Sequence, residues 1–447
     1  MTQHDITKRL ATWIVGLTGE AIPPSVRAEG VRTFVNWLGC AVGGARHETV
    51  DCAIAAVAPF SGPARAHVIG RSERLDELHA ALINGISSHV LDYDDTHLKT
   101  IIHPAGPVAS AILAVAESHP VSGRDFITAL IAGVEAECRI GNSVYPDHYD
   151  RGWHITGTAG VFGAAAATGR LLGLDARQMT YALGIAATQA SGLREMFGTM
   201  CKSFHPGRAA QNGATAAFLA KAGFDSSERA IEAPRGFANV LSTKQDYAEI
   251  VDGLGERWEA GLNTYKPFAC GIVIHPAIDG CQQLREELGD RVAAIRSVDL
   301  VTHPLVLELT GKKTPRTGLE GKFSVYHAAA TALLRGDGSP TAFTDEMVRA
   351  PEIIDLRDRV SARSDAGIDE DAVVIVLTLD DGSRIERRVD HAIGSLEHPL
   401  SDAAITTKFV NQSEPVIGRE TAQRLADLAW AIDTADAAAP VAAAAAA

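Results

Sequence analysis

The chain predicts a mainly α-helical protein with a smaller α+β part, and three observations carry that prediction. From its start to about residue 265, apolar residues recur at helical spacing and almost nothing alternates with period two. After Lys266, β-branched runs joined by a Gly-bearing turn enter. Beyond residue 400 the helical pattern returns. The expected division is a helical domain over 1–265, an α+β domain over 266–400, a helical return over 401–434 that packs back on the first domain, and a disordered Ala-rich tail over 435–447.

The first helix places Ile6, Leu10, Trp13, Ile14 and Leu17 on one face. Pro23-Pro24-Ser25 resets the chain, and a second helix runs through Val31, Phe34, Val35 and Leu38 to Gly43-Gly44. Helical patterns follow over 75–89, 107–118, 125–144, 156–172, 176–193, 207–222 and 227–232, punctuated by Gly, Pro and Asp. Gly160-Val161-Phe162-Gly163 through Gly169 reads as a small-residue helix face, since it lacks the strand–turn–helix setting of a dinucleotide loop. Residues 296–302 read as a strand that 305–309 continue beyond Pro304. A helix over 324–334 precedes a hairpin, 373–379 and 384–389, turning at Asp380-Asp381-Gly382. Residues 402–432 return to amphipathic helix.

Composition bounds the function. The chain is 46% hydrophobic and 21% charged, which is globular, and its 41 glycines with only 6% aromatics suit helices that approach through small faces. A net charge of -14 argues against binding to nucleic acid or to an anionic membrane. It leaves room for an anionic substrate, because Lys202, Arg208 and Lys266 supply a local positive patch. The stretch Met1 to Arg9 is polar and unlike a signal peptide, and no apolar run is long enough to span a membrane. Six irregularly spaced cysteines read as reduced core residues, and a cytoplasmic location is expected.

The chemistry-bearing residues cluster in short segments at the ends of apolar helices. These are Asp92-Tyr93-Asp94-Asp95-Thr96, His103-Pro104-Ala105-Gly106, Gly152-Trp153-His154, Lys202 to Gly207, and Tyr265-Lys266-Pro267. Removing a proton from carbon beside a carboxylate needs a positioned base, with cations or donors where negative charge develops. His103, His154 and His205 are candidate acids or bases. Lys202 and Lys266 are candidate carboxylate anchors, or acids if burial lowers their pKa. Asp92, Asp94 or Asp95 is placed to orient a histidine. Each segment also has a plain structural reading: Asp94-Asp95-Thr96 as a helix cap or Asx turn, and His-Pro as a helix start. No HExxH or cysteine cluster, P-loop or GxSxG elbow is present, so metal-free and cofactor-free acid–base chemistry ranks above a divalent ion on Asp94, Asp95, His97 and His103.

In their order these segments resemble the MmgE/PrpD superfamily, which includes 2-methylcitrate dehydratases, cis-aconitate decarboxylases and iminodisuccinate epimerases. The resemblance covers nearly the whole chain. It is carried by His89 to Thr96, His103 to Gly106, Gly152-Trp153-His154, Phe197 to Met200 before Lys202, His205 to Gly213, Tyr265-Lys266-Pro267, Lys322-Phe323-Ser324, Gly394-Ser395 to Leu400, and Lys408-Phe409. It implies a helical domain built from both chain ends, an α+β lid, and a homodimer with a cofactor-free site between the domains. In the decarboxylase branch the pocket residues match Asp92, Thr96, His103, His154, Lys202 and Lys266. The chain departs from that branch at Phe323 to His327, where His327 falls on the place of a pocket tyrosine, and over His97 to Ile102.

The expected activity is that of a carbon–oxygen lyase: dehydration of a small di- or tricarboxylate without a cofactor. His103, His154, Lys202, Lys266 and Asp92 are the expected catalytic residues, and Thr96, His205, Arg208, Tyr326 and His327 the expected substrate contacts. The alternatives are a dicarboxylate epimerase working on opposite faces of one carbon, and a non-catalytic carboxylate-binding protein.

Overall fold

Five helices, Glu77–Val90, Ala105–Ala116, Gly123–Val144, Ile155–Leu171 and Met200–Lys221, make the centre of the helical part. The computed structural model describes residues 5–446, so the first four residues of the polar N-terminal stretch lie outside it. The Ala105–Ala116 helix is apolar on every side and buried along its whole length, as a central helix must be. Its neighbours close around it because their contact faces are small. A Cβ on Gly85 would stand 2.5 Å from the Cα of Gly207, and one on Gly133 would stand 2.7 Å from the Gly163 carbonyl oxygen. The Gly160–Gly169 stretch is therefore a helix-packing face.

The Met200–Lys221 helix starts seven residues earlier than the Pro206-Gly207 pair suggests. Thr199 caps it by accepting the Cys201 N–H, and Pro206 lies inside its second turn. Residues 227–232 are turns and not a helix. The helices Asp402–Ile417 and Arg419–Trp430 return to the N-terminal part, where Phe409 lies over Gly39 of the Pro24–Gly44 helix.

The tail is not disordered. Pro440–Ala444 is helical, and Ala438, Val441, Ala442 and Ala445 are buried. The Ala438 N–H donates to the Val121 carbonyl at 2.9 Å, and Ala445 accepts from the Gly70 N–H at 2.8 Å. Small side chains that read as low complexity are those that fit a narrow groove.

The α+β part holds one four-stranded sheet in the order Val360–Ser364, Ile295–Thr302, Val373–Leu379, Arg384–Val389. The first pair is parallel and the others antiparallel. Val373, Ile375, Leu377 and Leu379 are buried on one face, against the helices His275–Leu288 and Val325–Arg335 and their neighbours. The edge strand exposes Arg384, Glu386 and Arg388, charges that discourage further pairing. Beyond Thr302 the chain does not continue as a strand. Pro304 opens the helix Pro304–Thr310, capped by His303 Nδ1, which accepts the Leu305 N–H. No helix among the described residues is long and apolar enough to cross a membrane. Four cysteines are buried, while Cys52 and Cys201 are exposed.

Outside this sheet, a short ribbon pairs Asp95–His97 with Asn263–Tyr265, with Asp95 opposite Tyr265. It joins chain segments far apart in sequence and sets the geometry of the site.

Candidate active site

Five elements deliver side chains to one pocket. The turn after Glu77–Val90 puts Asp92 in the left-handed region at φ 50°, a conformation aspartate tolerates better than most residues. The ribbon then places Lys266, immediately after Tyr265, beside it; the Lys266 N–H extends the pairing to the Asp94 carbonyl at 3.2 Å. Lys202 lies in the first turn of Met200–Lys221, His154 caps Ile155–Leu171, and His103-Pro104 directly precedes Ala105–Ala116. Three helix N-termini thus converge, and the positive ends of their dipoles favour negative charge in the space between.

Asp92, His103, His154, Lys202 and Lys266, which the sequence singles out as catalytic, all line one pocket. Tyr149, Phe197 and Phe323 help to wall it. Ile101, Ile272 and Val273 line both this pocket and a wider outer cavity. Ile101 holds a left-handed φ of 59°, a strained backbone for a β-branched residue.

The Asp92 Oδ1 atom takes an ion pair from Lys266 and another from Lys202 at 3.1 Å. Burial pushes the Asp92 carboxyl upward, but Lys202 and Lys266 outweigh it and hold the group well below the usual range. Burial also pulls both lysines down. Asp92 more than restores Lys266, whose pKa is raised, while Lys202 stays lowered from its ordinary 10.5. Lys202 also donates to His89 Nε2 at 3.0 Å, and His89 Nδ1 donates to Asp94 at 2.6 Å.

His103 Nδ1 donates to the Asp95 carbonyl at 2.7 Å, with Thr96 Oγ1 at 3.3 Å and Asp94 at 3.7 Å. That tautomer leaves Nε2 with a free lone pair. The Nδ1 atoms of His154 and His205 share one hydrogen bond at 2.7 Å, so a proton sits between two imidazoles. No described residue hydrogen-bonds the Nε2 atom of His103 or of His154. Burial keeps both rings neutral, His103 despite Asp94 and His154 with help from His205 and Lys202.

The donor atoms of His89, Asp92 and Asp94 lie within 4.8 Å of one another, a spacing that fits a metal ion. Two ammonium groups already lie on this set, Lys202 on His89 and Asp92 and Lys266 on Asp92, while His89, His103 and His154 form a second set with the same spacing.

Several sequence expectations place differently. Asp92 does not orient a histidine; it pairs the lysines, and Asp94 with the Asp95 carbonyl holds the imidazoles. Thr96 stands behind His103 and His205 behind His154, so each touches the pocket through another side chain. Arg208 is exposed and bonds Gln211, because its turn of the helix faces outward. Tyr326 and His327 lie in the core of the α+β part, where His327 Nε2 donates to the Ala342 carbonyl at 2.8 Å. The sequence reading gave no role to His89, Tyr149 or Lys322. Lys322 donates to the carbonyls of Leu91 at 2.6 Å and Ala269 at 2.9 Å, tying the Asp92 turn to the segment after Lys266. His89 opens the segment that ends at Thr96, but nothing in its spacing separates it from an ordinary helical histidine.

This geometry is a buried acid–base pocket that pairs imidazoles with lysines, and the chain matches the MmgE/PrpD N-terminal domain over residues 8–250 and the MmgE/PrpD C-terminal domain over 268–434. The chain belongs to the MmgE/PrpD family. It is 28% identical to a cis-aconitate decarboxylase of Aspergillus terreus over 96% of this chain and 93% of that protein. The cis-aconitate decarboxylases of Mus musculus and Homo sapiens are each 25% identical over 95% of this chain, and over 90% and 91% of their own lengths.

Proposed function

We propose that the chain is a lyase acting on a small di- or tricarboxylate by general acid–base chemistry beside a carboxylate, with dehydration as the reaction. The observation that carries this reading is the meeting of two partner-free imidazole Nε2 atoms with two buried ammonium groups in one pocket. His103 Nε2 takes the proton from carbon, since its tautomer is set by the Asp95 carbonyl. Lys266, kept charged by Asp92, holds the carboxylate on which negative charge grows. Lys202, whose ammonium burial has acidified, gives a proton to the departing oxygen. His154 donates from Nε2 when its Nδ1 accepts from His205. The reading carries with it the cofactor independence, the homodimer and the cytoplasmic location that the sequence suggests.

The relatives named cis-aconitate decarboxylase favour decarboxylation as a second reading. The same groups serve it, with a protonated side chain quenching the carbanion left by carbon dioxide.

The test is proton NMR of the purified protein in deuterium oxide with 2-methylcitrate, citrate, cis-aconitate and iminodisuccinate. Loss of water supports dehydration and loss of carbon dioxide supports the second reading. Deuterium exchange or inversion alone moves the assignment to an epimerase, and binding without turnover moves it to a carboxylate-binding protein. His154→Ala and Lys266→Met are each expected to lower turnover by about 100-fold or more while the protein stays folded; full activity in both would overturn the site.

A further inference from the structure

The reaction as proposed does not use His89 or the carboxylate of Asp94, yet both are fully buried and joined to a residue it does use. His89 Nδ1 donates to Asp94 Oδ2 at 2.6 Å. This fixes the ring and its tautomer and leaves the Nε2 lone pair facing Lys202 Nζ at 3.0 Å. A second Lys202 proton goes to Asp92 Oδ1 at 3.1 Å. With two of its three protons held by these acceptors, the third points away from both, and the Lys202 side chain lines the pocket. The rings of Phe197 and Phe323, 5.3 and 5.5 Å from Nζ, add to the cage.

We propose that Asp94 and His89 form a positioning dyad for Lys202, aiming its remaining proton at the substrate and keeping the amine protonated while it waits. His89 acts through Lys202 and is a positioning residue. The deepening rests on the role given to Lys202 above. The logic is that of an orienting carboxylate behind a histidine, moved one group back so that the group it serves is an ammonium. Asp92 alone does not suffice, because Lys266 shares the same oxygen. The charged and titratable groups that face this chain from the surrounding elements are Asp92, Lys266, His103, His154, His205 and Lys322. The lysines among them disfavour another positive charge, and a neutral acceptor at His89 offsets that without adding one.

Two substitutions separate positioning from packing. Gln at 89 can set its amide oxygen near the place of Nε2 and still accept from Lys202. Asn at 89 can set its amide near Nδ1, keeping the Asp94 contact and losing the Lys202 contact. The first readout needs no substrate. Lysine labelled with carbon-13 at Cε is titrated by NMR, and the Lys202 resonance is assigned from its loss in Lys202→Arg. In His89→Asn the Lys202 midpoint is expected to fall by about one pH unit, a tenfold shift toward the neutral amine, whereas His89→Gln stays near the wild type. The second readout is the pH profile of kcat/KM on whichever carboxylate is turned over. Its alkaline limb is expected to move down in His89→Asn by the same amount, with His89→Gln restoring it.

An unmoved Lys202 midpoint in a folded His89→Asn protein overturns the dyad, and so does equal loss in the Asn and Gln variants. A protein that turns over none of the carboxylates but shows the NMR shift sinks the lyase reading and leaves the dyad standing.

Discussion

At the scale of single residues, the site is a balance of buried charges that individually would be costly. Asp92 is the carboxylate on which both pocket lysines rest, so Asp92→Asn leaves two ammonium groups short of their counter-charge. The variant is expected to lose about 3–5 kcal/mol of stability in urea unfolding, along with its turnover. Acid sensitivity follows from the imidazoles. His103, His154 and His205 all titrate lower in the fold than the ordinary 6.5, because burial disfavours their charged forms. Below pH 6.5 the unfolded chain binds protons that the fold refuses, so stability is full above that pH and is lost as pH falls. Asp95 opposes this. Burial, with Asp94 nearby, pushes its carboxyl up to about 7, so the fold keeps a proton that the unfolded chain releases near pH 4. Asp95→Asn can keep the bonds from the Ala105 N–H and the Asn263 amide while removing the opposing titration. Its melting temperature is expected to fall more steeply between pH 6.5 and 5 than that of the wild type.

Elements were legible where one period governed them. The hairpin 373–389 and the long helices follow from alternation and helical spacing, and the five pocket residues follow from polar groups at the ends of apolar elements. The sequence failed where local and tertiary signals differ. Pro206 reads as a helix start because its missing N–H is costless there, yet the helix tolerates it one turn in. The strand Val360–Ser364 buries only Val360 and so shows no alternation. The ribbon Asp95–His97 with Asn263–Tyr265 is fully buried, three residues a side, and has no local pattern at all. Tyr326 and His327 follow a capped helix start, as His154 and Lys202 lie at helix starts, but their helix turns them to the core. Two element-scale substitutions test the packing described. Gly85→Ala forces its helix away from Gly207 and is expected to cost about 2–3 kcal/mol, read as a lower melting temperature. Ending the chain after Thr434 removes buried Val441 and its helix, and is expected to destabilise the protein measurably. A truly frayed tail would be removable without effect.

On the scale of the whole molecule, the pocket exists only where distant stretches meet. Asp92 and Lys266 come together through a ribbon whose closure spans much of the chain, and Lys322 ties the Asp92 turn to the α+β part. Lys202 and Asp92 meet within the helical part, and Lys266 joins them once the ribbon has closed. The shared wall of Ile101, Ile272 and Val273 has a further consequence for time rather than for energy. Ile101 and the adjacent pair Ile272 and Val273 build that wall from two segments, and product is expected to leave between them. If release along that route limits turnover, the rate at saturation is expected to slow as solvent viscosity rises. Ile101→Ala, which trims the wall and leaves the charged groups in place, is expected to shorten the residence of product and abolish that dependence.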